Sequence, residues 1–202
     1  MASSIAESDT HYPDRVRLPF AFDPAPLEAD LARIEGGEWT AHFVRQNYAG
    51  DWAVLPLRAK AGATHPVMMI YSDPTATEFE DTPFLARLPA MAAAIAAFRC
   101  PIRAVRLMRL TPGSEIKEHC DHDLDAALGF ARIHVPVRTS PQVTFLLNGT
   151  PVPMAAGEAW YLRLADRHRV INAGTEDRVH LVIDAEMNRW LAGRLEAGAA
   201  SL

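Results

Sequence analysis

The chain has 202 residues, 49% apolar and 22% charged, with a formal net charge of −5. That length suffices for one domain with a sizeable core and is marginal for two; the acidic balance disfavours nucleic acid as a partner. No apolar run approaches the length of a membrane span, and "MASSIAESDTHYPDRVR" lacks the basic start and apolar core of a secretory signal. A soluble, cytoplasmic protein without nucleic-acid or membrane partners is expected. The two cysteines, Cys100 and Cys120, are expected as free thiols there.

Residues 1–17 are polar and aperiodic and read as a flexible arm before a single domain over 18–202. "APLEADLARIEGG" (25–37) reads as a helix, with Leu27, Leu31 and Ile34 at helical spacing, Pro26 early and Gly36–Gly37 as a stop. "WTAHFV" and "DWAVLPLR" read as strands. Residues 62–83, rich in Pro, Thr and Asp, read as a long surface loop of the kind that closes over a site. An alanine-rich helix follows over 83–98, with a break expected near Pro89.

Beyond Cys100 the texture changes to short apolar or alternating runs between turn signals: 102–110, 131–137, 142–149, 150–154, 158–164, 168–174 and 178–186. Asn148-Gly149 is a strong hairpin signal. Strands this short and this frequent indicate a sandwich or jelly roll, mainly β, with its core over about 100–186. A short helix over 187–195 closes the pattern.

The densest chemistry lies in "EHCDHD" (118–123). In an extended segment, residues two apart share a face, so His119 and Asp121 can grip one ion while Cys120 and His122 point elsewhere. A third ligand must come from another strand, and His168 opens one. Two histidines and a carboxylate on one face of an octahedron suit a non-haem Fe(II) site with open positions. Arg178, ten residues past His168, opens the last strand and could clamp a carboxylate. Arg132 and His134 alternate within an apolar strand and call for an anionic partner inside, such as a small dicarboxylate.

"EIKEHCDHD", "ARIHVPV", "MAAGEAWYLRL" and "HRVINAGTEDRVHLVID" together resemble the bacterial aspartyl/asparaginyl β-hydroxylase-like proteins. These are Fe(II)- and 2-oxoglutarate-dependent dioxygenases, and the family includes proline cis-hydroxylases. The resemblance is good over roughly 100–190 and looser upstream, near "YAGDW" (48–52). It implies a double-stranded β-helix (cupin-like jelly roll) with flanking N-terminal helices and a short C-terminal helix. It implies iron ligation by His119, Asp121 and His168, and a clamp on the distal carboxylate of 2-oxoglutarate by Arg178. Arg132 and His134 look like the R-x-H pair that contacts the co-substrate in relatives. Arg167 stands where relatives carry proline, and 123–130 departs from the family's acidic, glycine-bearing stretch, which bears on substrate identity.

The function expected from this resemblance is hydroxylation of an amino acid, or of an Asp, Asn or Pro side chain, consuming O2 and 2-oxoglutarate and releasing succinate and CO2. A small amino-acid-like substrate is favoured; a protein substrate stays open. The competing readings are a non-oxidative metal-binding cupin and a 2-oxoglutarate- or metal-sensing binding protein. His42, His65 and His180 read as ordinary packing histidines, His122 and Asp123 as rim, and Arg103, Arg106 and Arg109 as mostly surface charge.

Overall fold

The computed structural model describes residues 12–34, 37–73 and 75–201. In chain order it runs β1 (Arg15–Ala21), α1 (Pro24–Leu31), β2 (Thr40–Ala41), β3 (Tyr48–Ala49), β4 (Trp52–Lys60), α2 (Pro66–Ile70), β5 (Phe79–Asp81) and α3 (Pro89–Ala96). It continues through β6 (Ile102–Leu110), β7 (Glu115–His119), β8 (Phe130–Arg138), β9 (Val143–Leu147), β10 (Thr150–Pro151), β11 (Glu158–Leu162), β12 (His168–Asn172), β13 (Arg178–Glu186) and α4 (Arg189–Ala199).

Two antiparallel sheets result. The larger has the order β1-β11-β8-β13-β6-β4-β2, with β5 on β4; the smaller is β10-β9-β12-β7-β3. From β6 onward the chain passes back and forth between them, β6, β8, β11 and β13 going to the large sheet and β7, β9, β10 and β12 to the small one. This is a double-stranded β-helix, as the strand pattern and the family resemblance imply. The Asn148-Gly149 hairpin joins β9 to β10 with both residues at positive φ (51° and 72°), the twist-matched turn this dipeptide favours.

The large sheet is covered on both faces, which explains why nearly every residue of β8 and β13 is buried, polar ones included. Strand alternation sends Val105, Leu107, Ile133, Val135, Leu181 and Ile183 to the outer face, where they meet Leu27, Leu31, Met91, Ile95, Leu191 and Leu195 of the helices. The opposite face sends Val54, Met108, Leu110, Leu162 and Val182 inward against Ile116, Phe145, Leu147 and Val170 of the small sheet. Each fully buried aliphatic side chain stabilises the fold by about 1.5–3 kcal/mol. The functional cavity lies in this inner layer.

Several local expectations change. The chain is already in β1 at Arg15, while residues 1–11 of the expected arm lie outside the described residues. Of "WTAHFV" only Thr40–Ala41 pairs as strand. The expected loop 62–83 carries α2, started by Pro66 and capped by the His65 ring, and the edge strand β5. Helix α3 starts at Pro89 after a 3-10 turn at Leu85–Arg87, so the break falls where the proline requires it. Among the described residues no helix is long and apolar enough to cross a membrane, and both cysteines are free thiols.

Candidate metal centre and its pocket

His168 and His119 sit directly opposite each other where β12 pairs with β7. Their rings lie 4.2 Å apart, centroid to centroid. Each ring is anchored through Nδ1 to a main-chain carbonyl two residues upstream: His119 to Lys117 at 2.7 Å, and His168 to Asp166 at 3.0 Å. A carbonyl only accepts, so both rings carry their proton on Nδ1 and present a bare Nε2 lone pair. Burial pushes the pKa of His168 down to about 4, keeping that lone pair free at neutral pH.

Asp121 completes the group, with one ligand atom from each residue lying within 4.8 Å of the others. Strand alternation is not what places it, because β7 ends at His119. Its N–H donates to Leu164 O at 2.7 Å, and Arg132 Nη1 donates to its Oδ2 at 2.8 Å. Oδ1 is left 3.8 Å from His119 Nε2. Two imidazole nitrogens and one carboxylate oxygen, pre-oriented by partners behind them, are a donor set that would suit a divalent transition metal such as iron.

These three residues line a cavity of about 440 Å³, together with Arg132, His134 and Arg178. All six residues singled out in the sequence are therefore gathered at one pocket. Phe43, Tyr71 and Leu128, exposed aromatic and aliphatic side chains, also line it. His122 and Asp123 reach it as exposed residues, consistent with a rim position.

The charges around the cavity were only partly foreseen. Arg132 forks both oxygens of Asp184, Nε to Oδ1 at 2.6 Å and Nη2 to Oδ2 at 2.9 Å, across the β8–β13 pairing. Arg106 Nη1 joins the same Oδ2 at 2.7 Å, and its Nη2 donates to Ser72 Oγ at 2.9 Å. Arg106 is 1% exposed, so its reading as surface charge is wrong. Spacing by three puts Arg103 and Arg109 on the other face of β6 from Arg106, which shares the inner face with Met108 and Leu110. The anion that Arg132 requires is thus supplied first by the protein's own Asp184. Burial alone would raise the Asp184 carboxyl's pKa; Arg132 and Arg106 outweigh that and hold it well below the usual carboxylate range.

Arg178 differs. It is 2% exposed, and Nη2 donates to His180 Nδ1 at 2.8 Å. Burial pulls its pKa down to about 9, which still leaves it charged at neutral pH. His134 Nδ1 lies 3.3 Å from that same His180 nitrogen. Burial, reinforced by Arg178, keeps both rings neutral, their pKa values well below the ordinary histidine value.

His42, expected as a packing residue outside the core, lines the pocket with its ring stacked 3.6 Å from Trp52. Its burial lowers its pKa to about 4. Asp184, Arg106, Ser72 and His42 form the part of the site that sequence reasoning did not assign. Alternation along β6 and β13 was the available signal for the first two; none existed for the others.

Comparison with known proteins bears on this geometry. The family described as Aspartyl/Asparaginyl beta-hydroxylase matches residues 27–188. The L-proline cis-4-hydroxylase of Rhizobium meliloti (strain 1021) is 26% identical over 181 residues, covering 88% of this chain and 61% of the relative, so the chain spans only about three-fifths of that protein. Three solved structures share the fold. SnoN, a non-heme alpha ketoglutarate dependent epimerase from nogalamycin biosynthesis, has a TM-score of 0.54 at 15% identity over 87% of this chain and 78% of its own. An oxidoreductase of the 2OG-Fe(II) oxygenase family from Burkholderia pseudomallei gives 0.51 at 19%, covering 87% and 86%. A Pseudomonas putida prolyl-4-hydroxylase gives 0.50 at 14%, covering 87% and 93%. With the family match running through every strand from β2 to β13, the chain belongs to the aspartyl/asparaginyl β-hydroxylase family.

Proposed function

We propose that the protein is a cytoplasmic Fe(II)- and 2-oxoglutarate-dependent dioxygenase that hydroxylates a small amino-acid-like molecule. The observation that carries this reading is the His119–Asp121–His168 group opening on the same cavity as Arg178, a buried guanidinium with no carboxylate partner among the described residues. The similarity to a protein named L-proline cis-4-hydroxylase supports a small substrate.

In this reading His119 Nε2, His168 Nε2 and an oxygen of Asp121 hold the metal. The Lys117 and Asp166 carbonyls keep the rings in the ligating tautomer, and Arg132 keeps Asp121 turned toward them. Arg178 takes the distal carboxylate of 2-oxoglutarate, and His134 lines the wall beside it. Fe(II), 2-oxoglutarate and O2, when bound, supply oxidation of an unactivated C–H bond with release of succinate and CO2. The apolar residues Phe43, Tyr71 and Leu128 shield the site from water and select what enters.

The test is anaerobic addition of Fe(II) and 2-oxoglutarate to the purified protein. A visible metal-to-ligand charge-transfer band should appear, and His168→Ala should abolish it. A folded wild-type protein that gives no band overturns the assignment. Succinate release over a panel of amino acids with O2 then identifies the substrate.

A further inference from the structure

His180 lies two residues beyond Arg178 on the same face of β13 and is 1% exposed. Because Arg178 Nη2 donates to His180 Nδ1, that nitrogen carries no proton and the ring's hydrogen sits on Nε2. Three buried nitrogens around this contact have no hydrogen-bond partner among the described residues: Arg178 Nε, His180 Nε2 and His134 Nε2. Buried polar groups are normally satisfied, so a cluster of unsatisfied ones beside a cavity marks a place where a ligand is expected. Elsewhere on this sheet a buried arginine is met by a carboxylate; here it is met by a neutral ring.

We propose that His180 is a positioning residue for the co-substrate clamp: it holds the Arg178 guanidinium by a neutral acceptor, leaving the positive charge for the distal carboxylate of a 2-oxo dicarboxylate. This rests on the 2-oxoglutarate reading above. An acidic residue at position 180 would orient Arg178 equally well, but the resulting ion pair would cancel the charge that an incoming anion needs. An apolar residue would leave the charge and lose the orientation. A neutral acceptor supplies both, and imidazole does so in a space this apolar because burial and the adjacent guanidinium both oppose its protonation.

The experiment uses the full chain loaded with Mn(II) in place of Fe(II), with calorimetric titration of 2-oxoglutarate and of 2-oxobutyrate, which lacks the distal carboxylate. The wild type should prefer 2-oxoglutarate by more than tenfold. His180→Asp should lose at least tenfold in affinity for 2-oxoglutarate and keep its affinity for 2-oxobutyrate, so the preference collapses. His180→Asn, which presents an uncharged acceptor, should retain the preference. If His180→Asp fails to fold, His180→Leu carries the test, because losing the acceptor must also lower the preference.

A folded Asp or Leu variant that prefers 2-oxoglutarate as strongly as the wild type overturns the proposal. So does a variant that loses both ligands equally, since that is the signature of a purely structural role. If the wild type holds Mn(II) but binds neither 2-oxo acid, the 2-oxoglutarate reading itself has failed. If the wild type shows the preference and the variants share it, only the role of His180 has failed.

Discussion

Two groups of buried arginine face the same cavity from the same sheet, and the protein treats them differently. Arg106 and Arg132 share the Asp184 carboxylate, and Arg132 also holds Asp121. Among the described residues Arg178 has only the imidazole of His180. A buried charge must be paired or be very costly. The first group meets that demand within the chain and acts as a frame that holds Asp121, a ligand in the proposed metal site. The second has no carboxylate partner among the described residues, which is what the proposed co-substrate clamp requires. Burial and residue type are the same in both, so the partner is what separates architecture from function.

The largest effect should come from breaking the frame. Asp184→Asn takes from buried Arg106 the carboxylate it pairs with and leaves Arg132 with Asp121 alone among the described residues. It should destabilise the protein by about 3–5 kcal/mol in urea-induced unfolding, the cost of removing one member of a buried ion cluster. The wild-type advantage should also vanish in acid. The Asp184 carboxyl has a folded pKa below its unfolded value, so its contribution is fully present above about pH 4 and is lost as pH falls through the folded value. An Asp184→Asn protein as stable as wild type at pH 7 would mean the triad contributes nothing net.

Arg178→Met should show the opposite pattern. It removes an uncompensated charge from an apolar setting, so stability should hold or rise, by up to about 4 kcal/mol. Affinity for 2-oxoglutarate should fall more than tenfold, corresponding to a charge-assisted contact of about 1.5–3 kcal/mol. Melting temperature and calorimetric titration on the same sample check both. If Arg178→Met destabilised the fold as much as Asp184→Asn, the distinction between the two arginine groups would collapse.

The distinction also separates what the sequence reveals from what it hides. That His119, His168, Arg132, His134 and Arg178 gather at one pocket was legible because each sits at a strand end or in a strand whose alternation is visible locally; Asp121 lies two residues past the end of β7 and reaches the pocket through the loop that follows. The jelly roll was legible for the same reason, from short strands between turns. Asp184 is 78 residues from Arg106 and 52 from Arg132. Their pairing depends on β13 lying between β6 and β8, a fact of sheet order that no local window contains. Arg106 was misread because alternation shows that the three arginines of β6 are split between two faces but not that the face Arg106 shares with Met108 and Leu110 is buried. His180 reads from the sequence as a packing residue, and burial alone would support that; its contact with Arg178, which has no other partner among the described residues, gives it another meaning. His42 follows a two-residue strand too short to announce which wall it builds.

His42 offers the gentlest probe of the frame's surroundings. Its folded pKa, lowered to about 4, lies below the ordinary value of about 6.5, so the fold favours the neutral ring. Burial is the main cause, with the positive field of Arg106 next. The sign follows: above about pH 6.5 the ring is neutral in both states and costs nothing. As pH falls from there toward 4, the unfolded chain takes up a proton that the folded one refuses, and stability declines. One group can contribute a slope of at most about 1.4 kcal/mol per pH unit. His42→Phe keeps an aromatic face for Trp52 without a titrating nitrogen, so its stability should fall less steeply than wild type between pH 6.5 and 4 and run parallel to it above 7. The Asp184 contribution lies below this window, so the two can be read from one pH series. Parallel curves throughout would mean that His42 titrates as it does in water, and that the positive field of the Asp184 frame does not reach the Trp52 wall.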